Sequence, residues 1–209
     1  MKFIGELIDV IRSIIRNIVF QIAKTLNTVT KGNVSPNSIT IFSLLIHIPI
    51  AVLIAKEFNI LAGFSIIIFG LFDTLDGSLA RIQKVANNKG MLLDASTDRM
   101  KEVILYCGAG YAMVMTGDPI YSVWAIGACG ASLLVSYIKA KGETAFADKG
   151  LTANQINKLF VDGIMRFEIR MAVLILGLFT NQLKYVLVFI AVSSSLTALG
   201  RLITIYNKL

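Results

Sequence analysis

The run Ile60-Leu61-Ala62-Gly63-Phe64-Ser65-Ile66-Ile67-Ile68-Phe69-Gly70-Leu71-Phe72 leads directly into Asp73-Thr74-Leu75-Asp76-Gly77-Ser78-Leu79-Ala80-Arg81. After a short loop comes Gly90-Met91-Leu92-Leu93-Asp94-Ala95-Ser96-Thr97-Asp98, and residues 103–115 are apolar again. Each limb is membrane-like at one end and acidic at the other. Apolar runs of this kind mark helices that cross a bilayer. Ionisable groups near membrane depth are costly enough that they usually serve a function. On a helix, Asp73 and Asp76 share a face, which Gly77 and Ala80 continue with almost no side chain, so a bulky group can approach the backbone there. Gly90, Asp94 and Asp98, at steps of four, also share a face. Two antiparallel helices joined by the intervening loop would gather four carboxylates at one end of the pair.

Four carboxylates in one place do not all stay ionised without a partner. A hard divalent cation is the natural one, since oxygen ligands suit magnesium, manganese or calcium and do not favour zinc. Magnesium usually binds through a few carboxylates together with substrate phosphates, which outlines a phosphoryl-transfer site. Two other readings compete. Acids at helix ends can be solvated caps. A cation transporter also clusters carboxylates in a membrane, although more often near the midplane on broken helices.

Working outward, 209 residues suit one domain. With 56% hydrophobic and 16% charged residues and a mean hydropathy of +0.73, the chain carries too little charge for an ordinary soluble domain. Spans are expected at 39–55, from 60 into the first acid pair, from 90 to 115, and at 120–138, 167–180 and 183–205. Ahead of them, residues 3–27 place Ile4, Leu7, Ile8, Ile11, Ile14, Ile15 and Ile18 on one helical face and Asp9, Arg12, Ser13 and Arg16 on the other. That pattern predicts a helix lying in the membrane interface. Turn residues from Lys31 to Asn37 end it, and Ser35 or Asn37 can cap the next helix.

The expected fold is therefore all-α and integral to the membrane, with six transmembrane helices preceded by an amphipathic interfacial helix. It forms a single domain over 1–209, with 1–32 as interfacial helix and linker and 33–209 as the six-helix membrane domain. Six spans put the N-terminus, the 82–90 loop, the 139–166 loop and the C-terminus on one side, with all of the 20 Lys and Arg except Lys56 and Lys184. The positive-inside rule makes that side cytoplasmic. The net charge of +7 then follows from topology and anionic substrates, and nucleic acid is not an expected partner. Cys107 and Cys129 read as small buried hydrophobes and not as a disulfide. The N-terminus does not read as a signal peptide.

The acid-bearing residues resemble the signature of the CDP-alcohol phosphatidyltransferases, D-x2-D-G-x2-A-R-x8-G-x3-D-x3-D, at Asp73, Asp76, Gly77, Ala80, Arg81, Gly90, Asp94 and Asp98. The likeness extends to the interfacial helix, the six spans and a Ser-Pro-Asn-x-x-Thr segment at 35–40. It implies an enzyme of phospholipid biosynthesis that moves a phosphatidyl or archaetidyl group from CDP-diacylglycerol or CDP-archaeol to an alcohol, releasing CMP, as a homodimer in the cytoplasmic membrane. It also implies that Asp73, Asp76, Asp94 and Asp98 hold Mg2+ or Mn2+ and that Asp98 is the general base. Asn37, Thr40, Asp73, Gly77, Ala80 and Arg81 would bind the CDP moiety, with Arg81 on the diphosphate. The chemistry agrees: the one histidine, His47, lies deep in the first span and reads as packed or hydrogen-bonded, which leaves proton transfer to an aspartate.

Within that family, Ser136-Tyr137-Ile138-Lys139-Ala140-Lys141-Gly142-Glu143 resembles the S-Y-x-K-A-R-x-E stretch of phosphatidylinositol phosphate synthases and of archaeal enzymes making archaetidylinositol phosphate. Arg166-Phe167-Glu168 is similar to part of their E-R-P-E-R stretch, and Arg201 matches an arginine near their C-terminus. The resemblance implies that Ser136, Lys139, Arg166 and Arg201 bind the phosphate of inositol 1-phosphate beside the metal site. Met165, Ile169 and Lys141 depart from the pattern. Glycerol 3-phosphate is the competing acceptor, with serine more distant. Lys139 and Arg166 also read as ordinary positive-inside loop residues, and Arg201 as one that snorkels to the surface. A degenerate member acting only as a lipid-binding scaffold is disfavoured by the complete aspartate set.

Overall fold

The structure, a computed structural model, describes residues 2–147 and 165–208. Its regular elements are all helices: α1 (Lys2–Val29), α2 (Pro36–Ala55), α3 (Asn59–Gly70), α4 (Phe72–Ile82), α5 (Asn88–Met115), α6 (Ile120–Ala147), α7 (Phe167–Phe179) and α8 (Leu183–Lys208). Among the described residues, four stretches are long and apolar enough to cross a membrane: Pro36–Ala55, Asn59–Ile82, Ile120–Phe146 and Leu183–Lys208. This is a multi-pass membrane protein. The other two expected spans fall on α5, whose first half is crowded with charge, and on α7, which has only 13 residues.

Local chemistry sets the helix ends. Ser35 caps α2 by accepting the Ser38 N–H at 3.1 Å, with Pro36 in the first helical position. Helices α1, α2, α4, α5 and α7 close by one device. A residue with positive φ (Lys31, Glu57, Lys84, Gly117 or Asn181) turns the chain, and the next N–H reaches back five residues to a helix carbonyl at 2.9–3.0 Å. This explains why the connections are short.

Two boundaries differ from expectation. The second span is two helices, broken at Leu71, whose N–H bonds back only three residues to Ile68 O after a glycine of poor helix propensity. The fourth does not stop near Ile138: α6 continues to Ala147 because its charges are helix-compatible, with Lys139 and Glu143 paired one turn apart at 3.5 Å. The rest of the expected 139–166 loop, residues 148–164, lies outside the described residues. Both cysteines are free, but Cys107 is exposed and Cys129 half-buried, because apolar residues on membrane helices need not face inward.

The chain forms two compact units. The first comprises Met1–Pro49 and Ser65–Lys101, and the second Ile50–Phe64 and the described residues from Glu102 onward. In the first, α1 packs on α4 through Val19, Ala23, Leu75 and Leu79, with Ile39 of α2 in the same cluster. Gln83 ties this joint by donating to Asn27 Oδ1 and Val34 O, each at 2.9 Å. The isoleucines at 14, 15, 18 and 22 remain exposed on α1. In the second unit, α6 and α8 pack through Val135, Ile138, Phe146, Ala198 and Ile205, and α7 packs on α8. Gly108 there lets α5 meet the backbone of Ala51, where a Cβ would collide.

Candidate active site

The first unit carries the signature acids. Asp73 and Asp76 lie in the first turns of α4, and Asp94 and Asp98 are one turn apart on α5. Carboxylate oxygens of Asp73, Asp76 and Asp94 all lie within 4.8 Å of one another. Oxygens on opposite sides of one Mg2+ stand about 4.2 Å apart, so a small closure would let the trio share a hard cation. Asp94 Oδ1 is buried without a hydrogen-bond partner among the described residues. A buried, unsatisfied carboxylate oxygen is costly unless a cation takes it. The donor set and the orphaned oxygen both fit a hard divalent ion.

Asp98 stands outside that trio. Its Oδ1 accepts from Lys101 Nζ at 3.3 Å, and Arg99 lies 3.8 Å from Oδ2. The same Lys101 ammonium donates to Asp73 Oδ1 and is 2% exposed. Lys101 thus links the acid proposed as base to one of the proposed ligands, a role the sequence reading missed. The available signal was the Asp98–Lys101 spacing of three. Thr40 on α2, 4% exposed, lies 2.5 Å from Asp76 Oδ2 and 3.2 Å from Pro36 O. Its single proton goes to the nearer, charged acceptor. Ser43 lies one turn on, 3.4 Å from Asp73 Oδ1. His47 is buried with Nδ1 2.6 Å from Ser43 O, a packed and hydrogen-bonded histidine as the sequence implied.

Beside the acids lies a cavity of about 520 Å3. Asn37, Thr40, Gly77, Ala80 and Arg81 line it, along with Asp76, Gly90 and Asp94, whereas Asp73 does not. Gln83 and Asn87 also line it and were not foreseen. Asn87 caps α5 by accepting the Gly90 N–H at 2.9 Å. A Cβ built on Gly77 meets nothing within 4 Å, so the groove along α4 is open where the small residues lie. One wall is anionic, the rim carries amides, and Arg81 supplies a cation. A phosphate-bearing group with its counter-ions suits this arrangement.

The residues expected at the acceptor phosphate all belong to the second unit. Arg201 is 7% exposed, so it does not snorkel; its Nη1 donates to Val135 O at 3.2 Å, and its buried Nε has no hydrogen-bond partner among the described residues. Ser136 follows Val135 and bonds to Ser132 O at 3.2 Å. Arg166 is exposed at the start of α7, within electrostatic range of Arg201. Lys139 is engaged at the surface with Glu143. Arg170, which no local sequence pattern marks as a site residue, lies fully inside, paired with Glu102.

Residues 33–206 match the model of the CDP-alcohol phosphatidyltransferase family. The chain is 32% identical to the phosphatidylinositol phosphate synthase of Corynebacterium glutamicum over 118 residues, 55% of this chain and 54% of that one. It is 29% identical to the archaetidylinositol phosphate synthase of Pyrococcus horikoshii over 125 residues, 60% and 62% of the two chains. The chain thus spans little more than half the length of these curated relatives. Its fold is that of the phosphatidylinositol phosphate synthase of Mycobacterium tuberculosis, solved with CDP-DAG bound: TM-score 0.77, 24% identity, covering 91% of this chain and 94% of that one. The same mycobacterial protein has been solved with manganese and citrate.

Proposed function

Because the chain belongs to the CDP-alcohol phosphatidyltransferase family, we propose that it moves the phosphatidyl or archaetidyl group of a CDP-lipid onto an alcohol, releasing CMP, with inositol 1-phosphate as the acceptor. The observation that carries this reading is the convergence of Asp73, Asp76 and Asp94 beside an open cavity. Asp73, Asp76 and Asp94 would hold Mg2+ or Mn2+, which would offset the negative charge of the diphosphate. Arg81 takes a further share of that charge, and Gly77 and Ala80 leave room for the CDP moiety against α4. Asn37 and Thr40 bound the cavity, with Thr40 acting through Asp76. Asp98 accepts the acceptor's hydroxyl proton. As that oxygen bonds to the lipid-side phosphorus, the phosphorus–oxygen bond to CMP breaks and its electron pair leaves with CMP. Lys101 holds Asp98 in place.

Three features support a phosphorylated acceptor. Arg201 keeps an unsatisfied buried N–H, Arg166 adds a second guanidinium nearby, and the Ser136 hydroxyl, which would turn from Ser132 O to the anion, follows the carbonyl that Arg201 grips. Guanidinium groups are suited to phosphate. The names of two relatives, synthases of phosphoinositol lipids, favour inositol 1-phosphate over glycerol 3-phosphate. We assign Lys139 to the same pocket, released from Glu143 when the anion arrives.

For topology, we read α5 and α7 as the third and fifth of six spans and α1 as interfacial, its exposed isoleucines in lipid. Both termini and the acids then face the cytoplasm. The continuous match over 33–206 draws on both units and supports one functional domain. A homodimer is part of the same reading.

The test is CMP release from CDP-diacylglycerol and CDP-archaeol by the purified protein, with inositol 1-phosphate, glycerol 3-phosphate, inositol and serine as acceptors. Divalent-dependent release, fastest with inositol 1-phosphate, is expected. Preference for glycerol 3-phosphate would replace the acceptor and keep the reaction. Cation flux without CMP release would make the protein a carrier.

A further inference from the structure

The second unit buries one full ion pair. Arg170 on α7 is 1% exposed and Glu102 on α5 is 0% exposed. Arg170 Nε meets Glu102 Oε1 at 2.8 Å and Nη2 meets Oε2 at 3.1 Å, a parallel two-bond fork that fixes the guanidinium plane. Its Nη1 is thereby aimed at the Met165 carbonyl, to which it donates at 2.7 Å. A buried ion pair is weak evidence for stability, since apolar residues of similar volume often serve as well. The geometry gives this one a more specific task.

Met165 immediately precedes Arg166, and both of its backbone polar groups are held. Its carbonyl takes the Arg170 proton, and its N–H donates to Thr197 Oγ1 on α8 at 3.3 Å. The Arg166 carbonyl accepts the N–H groups of Ile169 and Arg170 at 3.1 and 3.0 Å. Arg166 itself is exposed, and its extended backbone (φ −70°, ψ 164°) is the last before α7 begins. A long, exposed side chain has no packing of its own to aim it, so its direction is set where its backbone is anchored. Thr197 lies one helical turn before Arg201, which grips the carbonyl preceding Ser136. One face of α8 therefore pins the main chain just ahead of two candidate phosphate ligands.

We propose that Arg170 and Glu102 are positioning residues for Arg166: the buried pair clamps the Met165 carbonyl so that the Arg166 guanidinium is presented to the acceptor's phosphate. This rests on the reading of Arg166 as an acceptor ligand. Arg170 touches no substrate. Its effect passes through Arg166 and falls on the acceptor alone.

The experiment is a double-mutant cycle on steady-state kinetics with CDP-diacylglycerol and inositol 1-phosphate. Glu102→Leu combined with Arg170→Met removes the clamp without stranding a buried charge. Thr197→Val loosens the same segment from its other side, and Thr197→Ser restores the acceptor atom. The clamp-free enzyme is expected to keep its helical content and its KM for CDP-lipid, and to show a KM for inositol 1-phosphate raised about tenfold or more. In an Arg166→Ala background, removing the clamp should change that KM no further. If Glu102→Leu/Arg170→Met does not fold, the same cycle is read from Thr197→Val, with recovery in Thr197→Ser. An unchanged acceptor KM, or equal increments with and without Arg166, overturns the positioning role. An Arg166→Ala enzyme with an unaltered acceptor KM instead removes Arg166 from the pocket, and the clamp's function falls with it.

Discussion

Thr40→Val replaces a buried hydroxyl by a methyl of nearly the same shape, and leaves Asp76 Oδ2 without the donor that now lies 2.5 Å away. Both side chains are buried, at 4% and 5% exposure, although both border the cavity, so water replaces only part of what the hydroxyl supplies. Hydrogen bonds between membrane helices average about 0.6 kcal/mol and reach about 1.7. Bonds to charged acceptors in proteins run to about 1.5–3 kcal/mol. A carboxylate acceptor within an acidic group belongs where the two ranges meet, giving a loss of about 1.5–2 kcal/mol. For a chain of this size, that corresponds to a fall in Tm of about 3–8 °C. The assay is thermal unfolding followed by circular dichroism in detergent, without divalent ions, comparing the native protein, Thr40→Val and Thr40→Ser. Adding Mn2+ should narrow the deficit, because a cation on the trio satisfies the carboxylate that lost its donor. If Thr40→Val melts with the native protein in metal-free buffer while Thr40→Ser does the same, the bond contributes nothing and the reasoning from burial fails.

Asp94→Asn removes the charge beside the orphaned oxygen and should weaken Mn2+ binding at least ~10-fold in a titration followed by electron paramagnetic resonance; undiminished affinity would take Asp94 out of the metal site. Asp98→Asn should lower kcat about 100-fold or more while the KM for CDP-lipid stays within about threefold, and native turnover in that variant would dismiss Asp98 as the base. Gly77→Leu projects into open cavity and should raise the KM for CDP-lipid at least ~10-fold at nearly unchanged Tm. Gly108→Leu meets the Ala51 backbone and should lower Tm instead; the two variants behaving alike would contradict the packing described for them.

Helices and acids were legible where the signal is local. The amphipathic period of 3–27 marks α1 to within two residues at each end, and the spacing of Asp73, Asp76 and Asp94 places them together as expected. What the sequence concealed is of two kinds. The break at Leu71 and the extension of α6 to Ala147 turn on single backbone bonds and on one ion pair, which a hydropathy window averages away. Lys101, Arg170 and Glu102 look like ordinary charge in a basic membrane protein. Their partners show them to be interior: Glu102 and Arg170 are 68 residues apart, and no local pattern joins them. Thr40 was expected at the CDP moiety, but not as the donor to an acid 36 residues away. Asp98 shares a helical face with Asp94, yet side-chain direction, which spacing does not reveal, gives its carboxylate to an ammonium.

Lys101 also bears on what happens when divalent ions run short. A nest of bare acids would push itself apart once its cation was stripped, and the neighbouring helices with it. Here a tethered ammonium already sits against Asp73 and Asp98. Chelation should therefore idle the protein without unravelling it, and resupply should restart it with no need for fresh synthesis.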